Sequence, residues 1–219
     1  MNDFNYWMKR IGYLVRKNLF FQEIKAVSTH SSKIEPEKIL PLVSIEDLAP
    51  DIIPKLINTN AEDGNVSAYE LECISKLIKA NNPKTIFEIG TFNGLTTLHL
   101  AVNSNPETRI HTLDLPENEV HSTKLRIKSG DKKFILKQKS GVKFIGTEYE
   151  NRITQIYSDS AKYDYSAHIN KIDFVFIDGS HSYEYVLNDT EIAFKLLRNS
   201  KGVILWHDYS WREVVQALN

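Results

Sequence analysis

Apolar and polar positions divide the chain into an irregular N-terminal part and a regular remainder. Over residues 4–26, Phe4, Trp7, Met8, Ile11, Leu14, Val15, Leu19 and Phe20 recur at helical spacing among Lys9, Arg10, Arg16, Lys17 and Lys25. That period predicts a basic amphipathic helix, able to pack on the domain or on a second subunit, cover a site, or rest on a membrane surface. Residues 27–66 break into short apolar pieces between Pro36, Pro41, Pro50 and Pro54, and read as a connector with short helices. SAYELECISKLIKA (67–80) then predicts a helix capped by Ser67, with Glu70 three residues on. Strands are predicted at TIFEIG (85–90), RIHTLDL (109–115), RITQIYSD (152–159), KIDFVFIDG (171–179) and GVILWHDY (202–209). Helices are predicted at TTLHLAVNS (96–104) and YVLNDTEIAFKLLRN (185–199).

Alternation of this kind implies an α/β fold: a Rossmann-like, doubly wound, mostly parallel sheet with helices on both faces. The expected division is an N-terminal helical extension and connector over 1–66, followed by one domain over 67–219. Residues 116–151 carry no sustained period, and a connection that long inside a compact domain is usually functional or mobile. The stretch IDFVFIDGSH (172–181) is apolar on both faces and then stops at Asp178-Gly-Ser-His181. In open parallel sheets ligands bind beyond the carboxyl ends of the strands, so this polar tail lies where chemistry is expected.

Composition narrows the function classes. With 42% apolar and 25% charged residues the chain is globular, and no apolar run approaches the length needed to cross a bilayer. A formal net charge of −1 argues against broad attraction to nucleic acid. Cys73 is the single cysteine, so no internal disulfide can form, and its place in an apolar helical pattern reads as a small buried hydrophobe. The N-terminus lacks the apolar core of a secretion signal; the expected compartment is the cytoplasm.

Candidate chemistry gathers at the strand ends. The first predicted strand runs into Glu88-Ile-Gly90-Thr91-Phe-Asn-Gly94 and then into a helix, a turn at which glycines let backbone approach a ligand. The spacing departs from G-x-G-x-x-G, because Phe92 stands two after Gly90, and this counts against a nicotinamide or flavin enzyme. Asp114 ends the second strand, where an acid can accept hydrogen bonds from ribose hydroxyls; Asp159 and Ser160 end the third and could meet an adenine edge. Turn capping is the alternative for each. Asp178, His181, His207 and Asp208 end the fourth and fifth strands, and neighbouring tips of a parallel sheet lie about 4.8 Å apart. Two carboxylates and an imidazole there can hold a divalent cation, magnesium or manganese by their oxygens, or a softer metal through His207. The plainer alternative is a strand terminator, a helix cap at His181 and a mutually bonded His207-Asp208 pair.

EIGTFNGLTT, LDLP, GTEYENRITQIYSDSA, FIDGSHSYEYVLND and GVILWHDY together resemble class I S-adenosylmethionine-dependent methyltransferases, in particular the macrocin and macrolide-sugar O-methyltransferase branch. The resemblance covers roughly residues 67–219. It implies that Glu88, Gly90, Thr91 and Gly94 surround the amino-acid portion of S-adenosylmethionine, with Asp114 on its ribose, Asp159 and Ser160 on its adenine, and Asp178 beside it. It further implies Asp178 and Asp208 as metal ligands and His181 as general base, with His207 a departure where relatives can have an acid. A metal-assisted O-methylation of a small molecule, sugar or glycan is the expectation. Such folds usually carry seven strands, whereas this sequence reaches only SWREVVQALN after the fifth, so a sheet short of its last two strands is expected. The resulting bare edge and the amphipathic N-terminal segment point to a homo-oligomer. A non-catalytic subunit that keeps the fold, and less favourably a NAD-dependent oxidoreductase, are the competing readings. Tyr183, Glu184 and Tyr185, Tyr149, Glu150 and Arg152, and Trp206 and Trp211 are secondary candidates for the acceptor side.

Overall fold

The computed structural model describes residues 14–15, 38–136 and 139–219. Five strands, β1 (Thr85–Ile89), β2 (Arg109–Asp114), β3 (Ile153–Tyr157), β4 (Phe174–Ile177) and β5 (Val203–Trp206), form one sheet in the order β3-β2-β1-β4-β5. Every pairing in it is parallel. The order reverses at β1, which places a switch point between β1 and β4, where ligand crevices form in such sheets. Register aligns the tips: Ile89 faces Leu113 on one side and Ile177 on the other, and Ile177 faces Trp206. The residues that follow, Gly90, Asp114, Asp178 and His207, therefore emerge along one edge of the sheet. Among the described residues the sheet ends at β5.

β4 is buried on both faces, as its unbroken apolar run requires: Phe174, Val175, Phe176 and Ile177 are all in the core. The longer helices are α1 (Ala68–Asn81), α2 (Leu95–Val102), α3 (Tyr183–Leu196) and α4 (Arg212–Leu218). The capping box of α1 forms as the sequence predicts, with Ser67 Oγ accepting from the Glu70 N–H and the Glu70 carboxylate accepting from the Ser67 N–H. α3 starts two residues before the predicted boundary because Ser182 caps it, its Oγ accepting from the Tyr185 N–H. The cap is thus Ser182 and not His181, which is left outside the helix.

Residues 38–66 belong to the body of the domain. Ile45, Ala49 and Val66 are buried in the main core, and Leu40, Leu48, Ile52 and Leu56 pack against it. A single helical turn, Ile45–Leu48, is the only helix in this connector among the described residues. Leu14–Val15 form a short parallel pair with Leu42–Val43, which corrects the helix predicted over 4–26 at these two positions. A pairing partner 28 residues away along the chain, from Leu14 to Leu42, cannot be read from a local helical period. The rest of that predicted helix lies outside the described residues. The stretch without a period is short 3-10 turns around one helical turn, Lys132–Ile135. No helix among the described residues is long and apolar enough to cross a membrane.

Candidate active site

A cavity of about 290 Å³ opens at the carboxyl ends of the strands, far larger than a single ordered water requires. Its floor is made by Gly90, Asp114, Ser158 to Ser160, Asp178, Gly179, His207 and Asp208 from the tips. Asp63, Gly64 and Asn65 from the connector, and Ile127, Asp131, Phe134 and Ile135 from the long segment, close it from above. The sequence marks the long segment as functional only as a whole and singles out no residue of either covering, because neither segment has a period to register.

The β2 and β3 tips form one half. Asp114 is buried and accepts a hydrogen bond from Ser140 Oγ. Asp159 is more deeply buried; its Oδ2 accepts from the Lys124 N–H at 2.7 Å, and its Oδ1 accepts from the Ala161 N–H and Tyr185 Oη at 2.8 Å each. It caps a turn, as the plainer sequence alternative expects, and also lines the cavity. Tyr185 is a buried support of this carboxylate, while Tyr183 is exposed.

Gly90 is required by close approach. Its φ is +99°, and a Cβ there would lie 2.0 Å from the Asp178 carbonyl oxygen. The β1 and β4 tips meet only because nothing projects between them. The other predicted residues of this turn are placed beneath or behind the cavity. Thr91 is buried, with Oγ1 2.6 Å from Thr112 Oγ1 and accepting from Gln155 Nε2 at 3.0 Å. Gly94, at φ +84°, makes room for Phe144 and Gly141, whose nearest atoms would lie 2.7 and 2.8 Å from a Cβ. Glu88 is fully buried and accepts from Thr97 Oγ1 and Thr112 Oγ1, leaving Oε1 without a hydrogen-bond partner. Burial, with Asp178 and Asp114 nearby, pushes its carboxyl up to about 8. None of these three lines the cavity.

The β4 and β5 tips form the other half. Asp178, His207 and Asp208 offer ligand atoms within 4.8 Å of one another. His207 Nδ1 lies 3.0 Å from Asp178 Oδ1 and 3.1 Å from Asp208 Oδ2, buried between them without an aligned hydrogen bond to either. Burial opposes protonation of this ring, but Asp178, Asp208 and Glu70 outweigh it and hold its pKa well above the ordinary value. Two carboxylates and an unaligned ring nitrogen converging on one point fit a divalent cation.

His181 lies beside them, with Nε2 2.6 Å from Asp208 Oδ2 and Nδ1 2.9 Å from Asp131 Oδ1. Its ring stacks on Trp211 at 4.9 Å and 22°. Burial lowers its pKa, yet the bonds to Asp131 and Asp208 win and push it up to about 10. Asp131 is the main residue the sequence reading missed. It is buried, sits on the unpatterned segment, and also accepts from Ser180 Oγ and the His181 N–H. A lone acid among lysines gave no signal.

Other candidates resolve as structure. Trp206 is in the core and donates to Thr190 Oγ1 at 2.9 Å, as core packing predicts. Arg152 ties Ala101 and Asn105 carbonyls together, Glu150 accepts from the Gly146 N–H, and Tyr149 packs on the core. Glu184 pairs with Arg126. Cys73 is buried, and burial pushes its thiol up to about 11, so it is no nucleophile.

A parallel sheet reversing at β1, with a cavity across the reversal and acids on successive tips, defines a class I methyltransferase fold of Rossmann-like type. The model of a family described as a methyltransferase domain matches residues 87–209, more than half of the 219-residue chain, and the protein belongs to that family. Among solved structures, it is similar to the O-methyltransferase TomG from Streptomyces achromogenes, involved in tomaymycin synthesis and solved in complex with SAM. That likeness has 16% identity and a TM-score of 0.52, over 80% of each chain. It is also similar to an O-methyltransferase from Bacillus cereus in complex with SAH, with 19% identity and a TM-score of 0.51, over 80% of this chain and 81% of that one. At such identities the likeness is one of fold. None of the curated proteins compared with the chain matches it.

Proposed function

We propose that the protein is an S-adenosylmethionine-dependent O-methyltransferase acting with a divalent cation on a hydroxyl of a small molecule, sugar or glycan. One observation carries the reading: Asp114, Asp159 and Ser160 line the same cavity as His181, Asp178, His207 and Asp208. The first set suits a nucleoside, and the second suits activation of an oxygen nucleophile. The net charge of −1 and the single cysteine support a small acceptor in the cytoplasm over nucleic acid.

In the reaction the acceptor oxygen forms a bond to the methyl carbon as the carbon–sulfur bond breaks, and sulfur keeps the electron pair. The hydroxyl must lose its proton. Asp178, His207 and Asp208 would hold a divalent cation, which would supply positive charge beside the acceptor hydroxyl and so favour loss of its proton. Both ring nitrogens of His181 bond carboxylates, Nδ1 to Asp131 and Nε2 to Asp208, so the ring would act as base through Nε2 only after Asp208 has turned to the cation and the Nε2 proton has left. With Asp208 engaged elsewhere, Asp131 alone is left to orient the ring. Asp63 to Asn65 and Phe134 line the same cavity from the connector and the long segment.

Calorimetric titration with S-adenosylhomocysteine tests the cofactor, with NAD as control ligand and Asp114→Ala as control protein. Saturable binding that the substitution weakens, with no response to NAD, is expected. Absence of binding would sink the reading and favour a non-catalytic subunit.

A further inference from the structure

The N-terminal capping box of α1 and the acid–imidazole cluster share a residue. Glu70 Oε2 accepts from the Ser67 N–H at 2.7 Å, while Glu70 Oε1 lies 3.2 Å from His207 Nε2. The opposite ring nitrogen, Nδ1, points between Asp178 and Asp208 at 3.0 and 3.1 Å, buried and without an aligned hydrogen bond. The ring is therefore fixed at one end by a helix and aimed at the other into a pair of carboxylates. When Nε2 carries the proton given to Glu70, the Nδ1 lone pair faces those carboxylates. Groups converging in this way in a buried space call for positive charge between them, which a proton on Nδ1 supplies without a metal and a bound cation would supply in its place. A carboxylate behind a ligating histidine fixes its tautomer and ring orientation and raises its basicity.

We propose that Glu70 is a positioning residue for a cation site in which His207 is a ligand through Nδ1, so that the site prefers a first-row transition cation to magnesium. This rests on the metal-assisted reading above and adds to it the tautomer, the supporting carboxylate and the class of ion. Magnesium prefers oxygen donors and keeps much of its water, whereas one imidazole with two carboxylates suits manganese, iron(II) or zinc. The link from Glu70 to residue 67 runs through the Ser67 backbone N–H, which a change of that side chain keeps.

The probe is manganese(II) added to the purified full chain, followed by electron paramagnetic resonance with magnesium as competitor. The expected result is bound manganese with nitrogen hyperfine coupling, retained under a large excess of magnesium. His207→Asp should abolish that coupling, which separates His207 from His181 as its source, and should raise the affinity for magnesium. Glu70→Ala should weaken manganese binding about 10- to 100-fold, Glu70→Gln should recover part of it through its amide oxygen, and Ser67→Ala should leave it unchanged. Bound manganese without nitrogen coupling overturns this proposal and leaves the metal-assisted reading intact. No cation binding overturns both. Should Glu70→Ala fail to fold, the coupling in the unaltered chain and its loss in His207→Asp still decide the matter.

Discussion

Asp131 Oδ1 lies 2.9 Å from His181 Nδ1, joining residues 50 positions apart in a pair that leaves the far side of the imidazole facing Asp208 and the cavity. The geometry resembles an acid that orients a base. Each partner has a cost if lost. Without Asp131 the ring loses its orientation, and without His181 a buried carboxylate loses its main partner.

His181→Ala should lower kcat by roughly 10²–10⁴, the usual contribution of a positioned general base, with little change in S-adenosylhomocysteine affinity. Methyl transfer to a panel of hydroxylated acceptors, alongside calorimetry, checks both halves. An unchanged kcat removes His181 from the mechanism.

Asp131→Asn should give a smaller loss in kcat, and with it an acidic shift of the pH–rate profile. Asp131 raises the His181 pKa, so replacing it by a neutral amide lowers the pH at which the ring gives up its proton. A profile that moves upward or stays fixed contradicts the orienting role.

Glu88 makes stability depend on pH. Its folded value is raised from 4.5 to about 8, so between those values the folded chain holds a proton that the unfolded chain has released. Stability from this group is full below about pH 4.5 and is lost as pH rises through 8. Glu88→Gln, which keeps an oxygen for Thr97 and Thr112, should flatten the slope, gaining on the order of 2–4 kcal/mol over wild type at alkaline pH. Parallel urea melts of both chains at pH 5 and pH 9 measure the difference.

Gly90→Ala should destabilise the fold and abolish cofactor binding together. The added Cβ would sit 2.0 Å from the Asp178 carbonyl oxygen, on a backbone at φ +99°. Strain of this kind costs about 1–3 kcal/mol, and relief requires the β1 and β4 tips to part. Denaturant unfolding together with calorimetry tests it; Gly94→Ala is the comparison, expected to disturb the packing of Phe144 first.

Much of the site was legible because parallel strands announce themselves. FVFI is apolar without a period, and a strand of that kind is buried on both faces and ends where ligands bind. Asp114, Asp159, Asp178, His207 and Asp208 could thus be placed on one edge before any coordinates. Ser67 and Glu70 were legible as a capping box, since that motif is local. The second partner of Glu70, 137 residues away, was not.

Three features were decided only by tertiary packing. Glu88, Thr91 and Gly94 share a turn with Gly90, yet side-chain direction and the loop around Phe144 turn them from the cavity. Asp131 and the Asp63–Asn65 covering lie in segments whose sequence has no period, so their positions depend on contacts with distant elements. The sequence by itself determined the α/β class and which strand ends carry acids and imidazoles, because those follow from hydrophobic period and local turn chemistry, while the family was legible as a resemblance in its motifs. The folded chain decided which acid holds which imidazole, since that is settled by packing between parts of the molecule that no local pattern connects.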